Sequence, residues 1–299
     1  MVGRWRLLDP TQTGVGAPDL RSTSPVTLFG RVEEPTWRWL NLEARELCPF
    51  LSEYLPALPP EELQEKFTGT SEPVGLAAGF DTYEIFKGLA VEHGRSLEPT
   101  DAILDFGCGW GRIVRFFIRD VEPSNIWGID VSEVGIRACM DTNRWCNFEV
   151  SSPAPPSRFD DASLDLVYAY SVFSHLSEEL HLKWLEEFER ILKPGGIFLA
   201  TTLRRHFMER TSEFADGDTE SLPPWLRQAA AAFSDPEAAL AAYDRGEYSF
   251  GPIDGAAEHF GFACIPEEYV RRRWSEHFEV CDFVSDPRLP QEIIACRRR

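Results

Sequence analysis

The chain has 299 residues, 43% of them apolar and 12% aromatic, which suffices for one sizeable core with a subdomain. Forty-nine acidic residues against thirty basic ones leave a formal charge of −19, which repels a phosphate backbone and sets DNA and RNA aside as substrates. Seven cysteines without any C-x-x-C pair suggest free thiols in a reducing cytoplasm rather than a disulfide framework or a zinc site.

In chain order, residues 1–58 read as an N-terminal extension, weakly patterned, with Trp5, Trp37 and Trp39 as its heavy apolar anchors. Nothing from Met1 to Thr27 has the pattern of a secretory signal, and no stretch reaches the ~20 apolar residues of a membrane span. The break at Pro56-Ala57-Leu58-Pro59-Pro60 precedes a helix start at Glu61-Glu62-Leu63. Residues 69–79 read as loop, and 80–94 as a helix with Phe80, Tyr83, Phe86 and Leu89 on its stripe. From Asp101 strand and helix signals alternate, which predicts a parallel sheet covered on both faces. The expected strands are 102–106, 126–130, 148–150, 164–170 and 197–201. Between them lie helices at 112–119, at 133–143 capped by Ser132, and at 178–192, the last ended by Lys193-Pro194-Gly195-Gly196. Residues 203–264 break the alternation as an insertion, with an alanine-rich helix expected around 225–243. A helix at 266–277 and a terminal antiparallel pair at 278–284 and 292–296 complete the chain.

The densest chemical signal is Asp105-Phe106-Gly107-Cys108-Gly109-Trp110-Gly111-Arg112, an apolar strand that breaks into alternate glycines. Such a turn lets the backbone approach a nucleotide-like ligand at the carboxyl edge of a strand. A nicotinamide loop reads G-x-G-x-x-G, whereas here the third glycine comes one residue early and Arg112 takes the last place. The segment resembles the S-adenosylmethionine (SAM) loop of class I methyltransferases, strongly from Ile103 to Thr202 and loosely from Pro59 to the C-terminus. The resemblance implies an α/β Rossmann-like fold: a seven-stranded, mostly parallel sheet with an antiparallel last strand and helices on both faces. It also implies a methyltransferase domain over residues 59–299, with a helical lid in the insertion.

In that family the loop cradles the methionine part of the cofactor, so Asp105, Gly107, Cys108, Gly109 and Gly111 are expected cofactor residues. Asp130, twenty-five residues after Asp105, sits where a strand-end carboxylate accepts hydrogen bonds from ribose hydroxyls, with Val131 beside it. Many relatives carry an Asp near the adenine after the third strand; here Val150 is followed by Ser151-Ser152-Pro153, so a hydroxyl such as that of Ser152 or a backbone group would have to replace it. Ser171 leaves the fourth strand where the methyl group should project. An Asn/Asp-Pro-Pro-aromatic signature, typical of nucleic-acid amino-methyltransferases, is missing there.

His175, in Ser171-Val172-Phe173-Ser174-His175-Leu176, is the candidate general base, since imidazole with a pKa near ~6.5 can take a hydroxyl proton as the carbon–oxygen bond forms. A structural histidine ahead of the Ser177 cap is the competing role. Arg204, His206 and Trp225 are candidate substrate-binding residues in the insertion. The pairing of Asp105-Phe-Gly-Cys-Gly-Trp-Gly-Arg112 with Tyr170-Ser-Val-Phe-Ser-His-Leu176 and the closing Trp274-Ser-Glu-His-Phe resembles bacterial enzymes often associated with polysaccharide and glycan synthesis. The leading expectation is therefore metal-free O-methylation of a small polar acceptor such as a sugar or glycan, with S-adenosyl-L-homocysteine (SAH) as by-product. N- or C-methylation, and a non-catalytic SAM-binding protein, share the same cofactor motifs.

Overall fold

The computed structural model describes residues 23–215, 224–233 and 235–299. Three short helices, α1 (Pro25–Phe29), α2 (Glu34–Leu42) and α3 (Ala44–Leu47), lead through a 3-10 turn into α4 (Glu61–Thr68) and α5 (Val74–Glu92). Trp37 is fully buried against the same core as β1 (Ile103–Phe106), and its indole Nε1 donates to the Phe116 carbonyl at 3.2 Å. Trp5 lies outside the described residues.

The central sheet then builds from β1, β2 (Ile126–Asp130), α6 (Glu133–Thr142), β3 (Asn147–Val150), β4 (Leu164–Ala169), α7 (Glu178–Ile191) and β5 (Leu192–Leu203). The insertion contributes α8 (Arg205–Ala215), α9 (Pro224–Ala232), α10 (Pro236–Asp244) and a hairpin of β6 (Ser249–Pro252) and β7 (Gly261–Cys264). After α11 (Glu267–Arg273) the chain closes with β8 (Phe278–Ser285) and β9 (Gln291–Arg298).

The seven strands are ordered β3-β2-β1-β4-β5-β9-β8. Pairs from β3 to β5 are parallel, and β9 runs antiparallel to both β5 and β8. This is the Rossmann-like sheet with an antiparallel last strand. Alternate strand residues feed opposite cores: Ile103, Leu166, Tyr168, Ile197 and Ile293 face α5 and α6, whereas Leu104, Val167, Phe198 and Ile294 face α7 and α11. Both faces are apolar because both are covered, so the strands lack polar–apolar alternation. Strand order reverses between β1 and β4, and ligands of open α/β sheets bind at the carboxyl edge of such a switch point.

Five local expectations are corrected. Helix α5 starts at Val74 rather than Phe80, because Gly75 and Gly79, read as loop, are where Arg112 packs. A Cβ on Gly79 would stand 2.7 Å from Arg112 Cγ, and Arg112 Nη1 donates to the Gly75 carbonyl at 3.2 Å. Residues 114–119 are 3-10 rather than α-helical. Arg112, Arg115 and Arg119 are buried along this stretch and bind carbonyls of the N-terminal region: Gly75, Pro56 with Ala57, and Val32 respectively. The alanine-rich stretch forms two helices, with Asp235 capping the second through Ala238 N. The β6–β7 hairpin was not expected. Lys193–Gly196, read as a turn before β5, lies inside it as an irregularity, since Leu164 pairs with Leu192 and Leu166 with Ile197.

Candidate active site

The glycine loop leaves β1 with φ of 75°, 55° and 77° at Gly107, Gly109 and Gly111. At Gly107 the requirement is double, since any side chain would both strain that backbone and collide with Val172 Cγ2. The loop after β1 thus packs directly on the loop after β4. Its amides are paired internally: Gly107 and Cys108 N donate to the Ile129 carbonyl at 2.8 and 3.1 Å, and Gly111 N to the Cys108 carbonyl at 2.8 Å. The loop therefore offers a close-approach surface more than a set of free donors. The Cys108 thiol is buried and its pKa raised by that burial, so this residue contributes backbone, not reactive sulfur.

Asp105 is buried beneath the loop. Burial pushes its pKa up to about 7 against opposing help from Tyr168, the Val114 amide and Arg112, with Asp130 adding repulsion. Tyr168 lies near enough to favour the ionised carboxylate, yet neither the Tyr168 hydroxyl nor Asp105 Oδ2 has a hydrogen bond of ordinary geometry. A buried carboxylate oxygen without a donor is costly in isolation and fits a site completed by a cationic group. Asp130 ends β2. Its Oδ2 accepts from Gly109 N and its Oδ1 from Ser132 N, both at 2.8 Å. Each oxygen keeps a further lone pair for a ligand hydroxyl. Burial raises its pKa, opposed by the Ser132, Gly109 and Val131 amides. Val131 is 58% exposed at the lip of β2. Ser152 lines a recess of about 80 Å³ with Ile129, Val150, Phe159 and Trp184, at the carboxyl edge of β2 and β3.

Past β4 the backbone enters the left-handed region at Ser171, φ 58°, which a non-glycine residue adopts only when held there. The hold comes from across the sheet. Ser171 N donates to Thr201 Oγ1 at 2.7 Å, Gln291 Nε2 donates to Ser171 Oγ at 2.9 Å, and Thr201 Oγ1 donates to Gln291 Oε1. Thr201 and Gln291 were not singled out in the sequence, because their partners are distant in the chain and no local motif marks them.

Four residues later His175 is half-buried, with Nδ1 at 2.8 Å from the Gly261 carbonyl. A carbonyl only accepts, so the proton sits on Nδ1 and Nε2 keeps a lone pair. Burial lowers the pKa of this imidazole, with the Gly261 bond opposing. Its ring stacks on Phe260 (centroids 5.2 Å apart, 17° between planes) and leans on Phe262 at 5.5 Å. His181, by contrast, accepts from Trp274 Nε1 at 2.7 Å through Nε2, and burial drives its pKa down to about 3. It is a core histidine.

The expected substrate-binding residues are dispersed. Arg204 Nη2 donates to the carbonyls of Asp286 and Leu289, both at 2.9 Å, and so braces the β8–β9 turn. His206 is 71% exposed on α8, 3.3 Å from Glu209 Oε2. Trp225 stands in α9, but its side chain lies outside the described residues. The aromatic neighbours of His175 are instead Phe260 and Phe262, which the unexpected hairpin brings in.

The methyltransferase domain family model matches residues 103–196, from β1 through the Lys-Pro-Gly-Gly segment. The phthiotriol/phenolphthiotriol dimycocerosates methyltransferase of Mycobacterium tuberculosis is 31% identical over 103 residues, 34% of this chain and 37% of that protein. A fatty-acid O-methyltransferase of Mycolicibacterium smegmatis is 31% identical over 106 residues, 35% of this chain and 38% of that protein. The chain thus spans well under half the length of the curated relatives it matches. A solved S-adenosylmethionine dependent methyltransferase from Mesorhizobium loti superposes with a TM-score of 0.49 at 13% identity, over 75% of this chain and all of that one.

Proposed function

We propose, from the premise that residues 103–196 are a class I SAM-dependent methyltransferase domain, that the chain methylates a hydroxyl of a small acceptor with His175 as general base. SAM, when bound, supplies an electrophilic methyl group on a positively charged sulfur. The residues present fit it: a buried, donor-free Asp105 oxygen suits its ammonium group, Asp130 its ribose hydroxyls, and the glycine loop a close approach. Val131 and Ser152 border the nucleoside side of this reading.

The single observation that carries the proposal is the fixed tautomer of His175. Donation from Nδ1 to Gly261 orients the ring and leaves Nε2 basic, immediately beyond the β4 end of the switch point. A base so held receives the acceptor proton while the two reactants are kept in register, which is where such an enzyme gains most of its rate. Ser171, locked by Thr201 and Gln291, sets the course of the segment that carries this histidine.

The test combines binding and turnover. Calorimetry on the full chain should detect SAH but not NAD. With methyl-labelled SAM and an acceptor panel, His175→Ala should lower methyl transfer about 10²- to 10⁴-fold, the range of general-base catalysis, with SAH affinity within threefold of the parent. Equal turnover by the variant would remove His175 from the mechanism, and a preference for NAD would overturn the cofactor reading.

A further inference from the structure

The surroundings of His175 narrow the acceptor. Phe260 is 41% exposed and lies flat on the histidine ring. Behind it Phe262 is buried and continues into Phe207, ring centroids 5.8 Å apart, and on to Met208, Ala229, Phe233 and Cys264. The two arginines that directly follow β5 have other partners: Arg204 holds two carbonyls, and Arg205 pairs with Asp244 and Glu209. A sugar is recognised by several hydrogen bonds, each needing an available donor or acceptor. A flat aromatic molecule needs ring surface.

We propose, resting on the reading of His175 as the base, that the acceptor is an aromatic hydroxyl, a phenol packed against the exposed part of Phe260 beside the imidazole. The acidity of the acceptor supports the same class. Burial holds the imidazole below its ordinary range, so it is a weak base. A phenol, with a pKa near ~10 as in tyrosine, gives up its proton to any one base roughly 10⁵- to 10⁶-fold more readily than an aliphatic hydroxyl, close to water at ~15.7. The phenol oxygen forms the new C–O bond as the C–S bond of the cofactor breaks with its electron pair remaining on sulfur. The phenolic proton passes to His175 Nε2 and from there to solvent. The sulfonium charge lost in the transfer thereby reappears on the imidazolium and leaves as a proton, so charge and atoms balance.

The experiment uses the full chain. SAH binding is first measured by calorimetry, and its absence would overturn the cofactor reading and this proposal with it. Where SAH binds, the chain is incubated with SAM and, separately, 4-methylphenol, 4-nitrophenol, methyl glucoside and octanoate, with methyl products read by mass spectrometry. Aryl methyl ethers should form at least 100-fold faster than methylated glucoside or methyl octanoate. Phe260→Ala should raise KM for the phenol at least tenfold with kcat within threefold, and Phe260→Trp should restore KM. SAH binding without turnover of either phenol, turnover of glucoside or octanoate at an equal or higher rate, or an unchanged KM in Phe260→Ala would each overturn the aromatic acceptor.

Discussion

The stretch from β1 to the start of β5 and the described part of the insertion, from α8 to β7, are organised by opposite principles. In the first, the residues proposed to hold the cofactor are placed by their own elements: Asp130 ends β2, Ser132 caps α6 through the Gly135 amide at 3.2 Å, and the glycine loop is the turn between β1 and the 3-10 segment. The insertion acts on that stretch through contacts between residues far apart, such as the Gly261 carbonyl with His175, 86 positions away. The proposed cofactor residues are thus placed locally, and the proposed acceptor residues through tertiary structure. Substitutions on the two sides should therefore differ in kind, and the largest effects should fall on the local side.

Gly107→Ala is the most severe of these. The new Cβ meets Val172 and the backbone must hold φ 75°, so both left-handed strain and overpacking apply. The expected cost is about 2–5 kcal/mol of unfolding free energy together with loss of detectable SAH binding, read by denaturant titration and calorimetry. Unaltered SAH affinity would show that the two loops move independently and would dissolve the contrast.

Asp105→Asn probes the same side through pH. The carboxyl titrates near 7 in the folded chain and near ~3.9 unfolded, so the native state binds more protons between those values. Its stabilising contribution is complete below about 4 and is lost as pH rises through 7. SAH affinity should move the other way, strengthening up to about tenfold from pH 6 to pH 8 as the carboxylate ionises to meet the ammonium group. The groups facing it are Tyr168, Asp130, Arg112 and the Val114 amide, and burial outweighs them all. In Asp105→Asn both slopes should vanish, and a persistent affinity slope would assign the effect to Asp130, whose pKa burial also raises.

The same division governs what could be read from the sequence. Strands β1, β2, β8 and β9 and helices α6 and α7 were legible to within a few residues, because apolar runs and the Ser132 and Ser177 caps are local signals. Helix α5 was read six residues short because Gly75 and Gly79 count against a helix; only the later arrival of the Arg112 side chain explains them. The loop and Asp130 were legible for the same local reason. Thr201, Gln291, Phe260 and Phe262 were not, since each matters through a partner on another element. Arg204 and His206 drew attention as a basic run after β5, but a run of charge says nothing about which carbonyls or carboxylates lie across from it.

That last pair gives the smallest and cleanest contrast. Arg204 is half-buried and gives two hydrogen bonds to carbonyls of the β8–β9 turn, so Arg204→Gln leaves Asp286 and Leu289 without their donor. Hydrogen bonds from a charged group contribute about 1.5–3 kcal/mol, and the loss should appear as a stability decrease of about that size with SAH affinity unchanged. His206 stands largely in solvent beside the less exposed Glu209, an arrangement worth under about 0.5 kcal/mol. His206→Ala should therefore leave both stability and SAH affinity within error. If instead it raised acceptor KM while Arg204→Gln altered only stability, the exposed face of α8 would join the acceptor site. Recognition would then extend beyond the aromatic wall around His175 to a polar group at the far end of the acceptor.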